Sequence, residues 1–125
     1  MAGRVSSVSS LGRSGLYDWM VQRVSAVLML AYILFLVIVL VRTPDMQYAD
    51  WQAIFALTWV KIFSLITLLA LCAHAWVGMW TIATDYLTGA MLGSAATCIR
   101  FGFQSACLIV LLAYFVWGVQ ILWSV

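Results

Sequence analysis

The sequence predicts an all-α membrane protein with three spanning helices. Three observations carry that prediction. Hydrophobic residues make up 66% of the chain and charged residues 8%. Mean hydropathy is +1.11. Long apolar stretches alternate with short polar connections, and a stretch of about 20 apolar residues is what a hydrocarbon core of about 30 Å demands. A soluble domain of 125 residues needs far more surface charge than this. The whole of 1–125 therefore reads as one membrane domain, with approximate spans at 19–41, 58–85 and 99–124. No basic cluster is interleaved with aromatics, so nucleic acid is not a candidate partner. Cys72, Cys98 and Cys107 have no ligand spacing and read as small core residues.

Residues 1–22 are polar and serine-rich, with Arg4 and Arg13 and no acid before Asp18. A transit peptide would need a clearer basic amphipathic face, and a secretory signal a short apolar core with a small-residue cleavage site. The segment reads as a retained cytoplasmic tail, with Ser14 a potential N-cap for the first helix. The first span is uncharged from Val24 to Val41 and bounded by Arg23 and Arg42. About 18 residues is short for a span, so the helix is expected to begin before Arg23. Arg23 then either snorkels to lipid phosphate or turns inward to an anionic cofactor group.

Thr43-Pro44-Asp45 stops this helix, because proline disfavours helical geometry in the residue before it. Asp50 is a candidate cap for the next. The following apolar pattern runs from Trp51 to Thr84, about 50 Å as one helix, so its first turns up to Lys61 should lie at the interface with Trp51 and Trp59. The second connection, Thr88 to Arg100, contains a GxxxG at Gly89 and Gly93, which reads as flexible loop ahead of a helix-pairing seam. In the third span Gly102, Ala106 and Ala113 offer close approach to a neighbouring helix, and Trp117 and Trp123 suit the far interface. Arg4, Arg13, Arg23 and Arg100 outweigh Arg42 and Lys61, which are offset by Asp45 and Asp50. The positive-inside rule thus puts the N-terminus and second connection in the cytoplasm or matrix.

The second span holds the only histidine, His74, and closes on Asp85-Tyr86. At about 100° per residue, His74, Gly78, Thr81 and Asp85 share one helix face within about 60°, with Thr67 on it too. Glycine one turn from the imidazole leaves room for something flat or bulky. An intramembrane histidine can be hydrogen-bonded across helices, ligate haem iron, relay protons or contact a quinone. A bis-histidine haem would need its second ligand from another subunit. Asp85 and Tyr86, about 16 Å further along, are either ordinary helix termination or a site in which the phenol hydrogen-bonds a quinone carbonyl. An acid at a helix C-terminus opposes the macrodipole and asks for a partner such as arginine.

The run His74-Ala75-Trp76-Val77-Gly78-Met79-Trp80-Thr81-Ile82-Ala83-Thr84-Asp85-Tyr86 closely resembles the signature of the succinate dehydrogenase hydrophobic membrane anchor family, the D-type subunits of respiratory complex II. Lys61-Ile62-Phe63, Leu11-Gly12-Arg13-Ser14-Gly15 and the Arg23 segment are similar to it as well. The resemblance covers most of the chain, although the third helix is generic. It implies three helices that pack with a second anchor subunit, of cytochrome b556 type, around a haem b with one axial histidine from each. His74 matches the haem-iron ligand, Arg23 a basic residue near the propionates, Tyr86 the tyrosine that hydrogen-bonds ubiquinone, and Asp85 its acidic neighbour. Succinate oxidation, FAD and the iron–sulfur clusters belong to the flavoprotein and iron–sulfur subunits, so this chain carries no dicarboxylate site. Some relatives have histidine where Tyr17 stands, and Tyr17 is given no haem role. A short N-terminus that reads as unprocessed favours a bacterial inner membrane over a mitochondrial one, and a multi-pass protein with a cytoplasmic N-terminus is expected. Two rivals are the anchor of a quinol:fumarate reductase and a small multidrug-type transporter subunit using Asp85 as coupling carboxylate, though the latter expects a carboxylate deeper in the membrane. A purely structural anchor is the third.

Overall fold

A computed structural model describes residues 15–125 and is helical almost throughout, with no strand among the described residues. Helix α1 spans Gly15–Arg42, α2 Tyr48–Ala56, α3 Thr58–Asp85, α4 Gly89–Leu92 and α5 Ala96–Trp123, with a 3-10 turn at Gly93–Ala95 before α5. Helices α1 and α3 and the α4–α5 stretch are long and apolar enough to cross a membrane. The all-α, three-span architecture is as the composition predicts. Arg4, Arg13, the Leu11-to-Ser14 part of the family-like motif and the Ser14 cap lie outside the described residues.

α3 packs against both α1 and α5, antiparallel to each. Along the α1 seam the paired positions run Gln22–Gly78, Ser25–His74 and Tyr32–Ser64. Between lipid-facing helices apolar contact alone is no driving force, so small residues and polar bonds hold the seam. The Tyr32 hydroxyl and Ser64 Oγ are 2.6 Å apart. Around that bond Tyr32, Phe35, Trp59 and Phe63 form a cluster of edge-on and tilted rings, a geometry favoured by their quadrupoles. On the other side α5 meets α3 where Gly118 faces Leu68, and a Cβ at Gly118 would lie 2.6 Å from Leu68 Cδ2. Gly102, Ala106 and Ala113 are exposed instead. The close approach of α5 is therefore at a different small residue from those the sequence suggested.

Three further differences have local causes. The second span is not one helix from Trp51, because the chain turns extended at Leu57 (φ −66°, ψ 128°) and separates α2 from α3. Gln47, not Asp50, is the N-cap of α2. Asp50 sits three residues on and accepts the Gln47 N–H through Oδ2 at 3.0 Å, reaching back over an orphan donor. The second connection is wound into α4 and the 3-10 turn, and Gly93 closes α4 with φ +63°, a conformation open to glycine. Arg100 fastens this connection by donating from Nε to the Leu87 carbonyl oxygen at 2.8 Å. At the opposite end Lys61 Nζ donates to the Val125 carbonyl oxygen at 3.1 Å. Among the cysteines, Cys98 is exposed and Cys72 and Cys107 are half-buried, so none is the fully buried core residue that the sequence suggests.

Candidate functional site

Three polar residues of α1, Asp18, Gln22 and Ser25, are spaced four and three apart, which places them on one helix face. That face meets α3 at His74, Gly78 and Thr81, and the seam opens there into a cavity of about 430 Å³ lined by Asp18, Gln22, Arg23, His74, Val77 and Thr81 among others. Of the site residues read from the sequence, His74 and Arg23 are brought together in this cavity. A second groove along α1 and α3, of about 480 Å³, is almost wholly apolar and does not include His74.

His74 is half-buried, and its ring is held through Nδ1. Ser25 Oγ lies 3.0 Å from Nδ1 and donates its own proton to the Gln22 carbonyl oxygen at 3.1 Å. The Gln22 amide, in the orientation that pairs all its neighbours, brings its NH2 to 2.9 Å from Nδ1 and 3.3 Å from the His74 carbonyl oxygen. Its oxygen then accepts from the Gly78 N–H at 3.3 Å. Nε2 makes no hydrogen bond among the described residues. The space beside Gly78 is thus taken by the Gln22 amide, whose nearest atom would lie 3.6 Å from a Cβ built there, at ordinary van der Waals distance. Gln22 stands where the sequence left an open approach to the backbone.

Arg23 is exposed at the cavity rim, its guanidinium 5.5 Å from the centroid of the Trp19 ring one turn earlier, within cation–π range. Asp18 is only 8% exposed, and neither carboxylate oxygen has a hydrogen-bond partner; the Trp80 indole nitrogen is in the same position. Buried polar groups are ordinarily paired, so this end of the seam lacks part of its hydrogen-bonding complement within the chain. Thr81 turns its hydroxyl back to the Val77 carbonyl oxygen at 3.0 Å. Thr67 does the same to Phe63 at 2.9 Å and lines another groove, so it shares the helix face of His74 without joining its cavity.

Asp85 and Tyr86 stand apart from this cavity. Asp85 ends α3 and is exposed; Tyr86 is its C-cap, 65% exposed, with its N–H bonded to the Ile82 carbonyl oxygen at 2.9 Å. The Tyr86 hydroxyl has no partner among the described residues. The basic group near this end, Arg100, bonds to the Leu87 carbonyl rather than to the Asp85 carboxylate. The arginine partner that the macrodipole argument asks of Asp85 is not found among the described residues. Tyr17 lines the apolar groove and not the His74 cavity.

Gln22, Ser25 and Asp18 are site residues that the sequence reading passes over. Their signal was an i, i+4, i+7 polar stripe at the mouth of an otherwise apolar span.

The family model described as succinate dehydrogenase/fumarate reductase transmembrane subunit matches residues 3–119. A curated relative, the succinate dehydrogenase hydrophobic membrane anchor subunit of Coxiella burnetii, is 36% identical over 116 residues, which cover 93% of this chain and 95% of the relative.

Proposed function

Since the chain belongs to the succinate dehydrogenase/fumarate reductase transmembrane subunit family, we propose that it anchors a succinate:ubiquinone oxidoreductase in a bacterial inner membrane and supplies one axial ligand of a haem b and part of the quinone site. The observation that carries the haem reading is the state of His74. Its Nδ1 is engaged from α1, Nε2 has no partner among the described residues, and the ring stands in a cavity edged by the Arg23 guanidinium. A ligating histidine characteristically bonds through its other ring nitrogen to a neighbour that fixes the ring. His74 would hold the iron through Nε2, and Arg23 would meet the propionates. A haem with two imidazole ligands supplies one-electron transfer.

A second histidine ligand would have to come from a partner anchor subunit, because this chain has only one histidine. The unpaired Asp18 oxygens and Trp80 nitrogen support a partner against this end of the bundle. Electrons arrive from iron–sulfur and flavoprotein subunits on the cytoplasmic side, where the arginine distribution puts the N-terminus, Asp85, Tyr86 and Arg100. Tyr86 donates its hydroxyl proton in a hydrogen bond to a quinone carbonyl, stabilising the negative charge that grows on that oxygen during reduction. Asp85 shapes the field at the same helix end.

The test is a reduced-minus-oxidised absorption spectrum of the complex purified through a tag on this chain, beside His74→Ala. A low-spin b-type spectrum that is lost or becomes high-spin in the variant is the expected result. A cleanly assembled wild-type complex without haem would overturn the ligand assignment.

A further inference from the structure

We infer that Gln22 and Ser25 are positioning residues for His74 that select its tautomer and set its basicity as a metal ligand, the Gln22 amide turning over when Nε2 is ligated. This rests on the haem reading of His74 above. Two α1 groups reach the same ring nitrogen, and they ask opposite things of it. When Ser25 gives its hydroxyl proton to the Gln22 backbone carbonyl oxygen at 3.1 Å, its oxygen is free to accept at 3.0 Å from an Nδ1 that carries hydrogen. The Gln22 side chain, in its fully paired orientation, instead donates from NH2 to an Nδ1 lone pair at 2.9 Å. Both cannot hold at once, because a neutral imidazole has one N–H and one lone pair.

Ligation decides between them. When Nε2 gives its lone pair to a metal, the ring proton must sit on Nδ1. Ser25 is already arranged to accept it. The Gln22 NH2 then faces an N–H, and a half-turn of the amide about its last torsion presents the oxygen to Nδ1 instead. The turn gives up the two 3.3 Å contacts to the His74 carbonyl oxygen and the Gly78 N–H and sets the amide oxygen and NH2 against like groups there; those two backbone groups retain each other in the α3 ladder. The amide lies against the backbone of Gly78, 3.6 Å from the site of a Cβ there, so a side chain longer than a methyl would press on it. With the amide turned, two oxygens accept from one Nδ1–H, which raises the electron donation of Nε2 to the iron. Stronger donation favours the oxidised metal and lowers its potential.

The experiment is a redox titration of the haem in the purified complex, with wild type, His74→Ala, Gln22→Met, Ser25→Ala and Ser25→Thr side by side. Near-infrared magnetic circular dichroism follows the basicity of the axial nitrogens in the same samples. Gln22→Met keeps length and removes both polar atoms; Ser25→Ala removes the acceptor, and Ser25→Thr keeps it. The expected result is a low-spin haem in all but His74→Ala, with the midpoint of Gln22→Met and Ser25→Ala raised and that of Ser25→Thr near wild type. Outer-shell partners carry on the order of tenfold, which for a one-electron couple is about 59 mV. The charge-transfer band should shift with the potential. Unshifted midpoints and bands in Gln22→Met and Ser25→Ala, with His74→Ala losing its low-spin spectrum, would overturn this inference and leave the ligand assignment standing. A low-spin spectrum that survives His74→Ala would remove the ligand assignment itself. Should Gln22→Met fail to assemble, the Ser25→Ala and Ser25→Thr pair decides alone: equal midpoints refute, a raised alanine midpoint supports.

Discussion

Replacing Tyr86 by phenylalanine deletes a single hydroxyl from the end of α3. That hydroxyl has no partner among the described residues and the side chain is 65% exposed, so the fold loses nothing measurable. The whole effect should fall on the bound quinone. A hydrogen bond to a group that acquires charge contributes about 1.5–3 kcal/mol. Exposure at the helix end lets water and headgroups compete for the phenol, which places the loss in the lower part of that range, about 1.5–2 kcal/mol. Since 1.36 kcal/mol is a factor of ten in rate, succinate-dependent ubiquinone reduction should fall by about 10- to 30-fold. Oxidation of succinate by a water-soluble artificial acceptor, which bypasses the membrane site, should stay within error of wild type. Equal losses in both assays, or none in the quinone assay, would refute a quinone role for Tyr86.

Two further substitutions separate stability from turnover. Asp85→Asn removes an unpaired acid from a helix C-terminus, so the thermal midpoint of the complex should rise, by the equivalent of about 0.3–1 kcal/mol, while quinone reduction falls by less than in Tyr86→Phe; a fall in both would show that the carboxylate has a structural partner. Gly118→Leu puts a side chain where a Cβ alone would lie 2.6 Å from Leu68 Cδ2. Overpacking of this kind costs about 1–3 kcal/mol, and the lowered midpoint should be largely restored by adding Leu68→Ala.

The fold class was legible because three observable constraints agree: the share of apolar residues, the lengths of the uncharged runs, and the one proline at Pro44 that ends α1. The break at Leu57 was not. Ala56-Leu57-Thr58 contains neither glycine nor proline, and an apolar run reads the same whether or not one residue in it turns extended. Small residues pose a similar problem. Gly102, Ala106, Ala113 and Gly118 all permit close approach, but the choice of Gly118 comes from the way α5 lies on α3, which is a tertiary fact. Within the site, His74 announces itself by being the only histidine in an apolar helix. Its supports did not, because Asp18 and Gln22 fall before the uncharged span and read as flank, and Ser25 is unremarkable one residue inside it. Their four- and three-residue spacing acquires meaning once α3 is seen to lie against them.

His74 and Tyr86 stand on one backbone, the first well within α3 and the second at its cap. No proline interrupts the stretch between them, and sharp kinks in helices need a specific cause such as proline or an inserted group. Twelve residues of helix make a strut of about 18 Å, its length fixed by backbone hydrogen bonds and not by side-chain packing. α3 thus acts as a ruler between the two proposed sites. Tilting it within the bilayer, or loosening its contacts with α1 and α5, moves both ends together and leaves their spacing unchanged. A membrane of different thickness would alter where the pair sits in depth and leave the distance between the two proposed sites as it was.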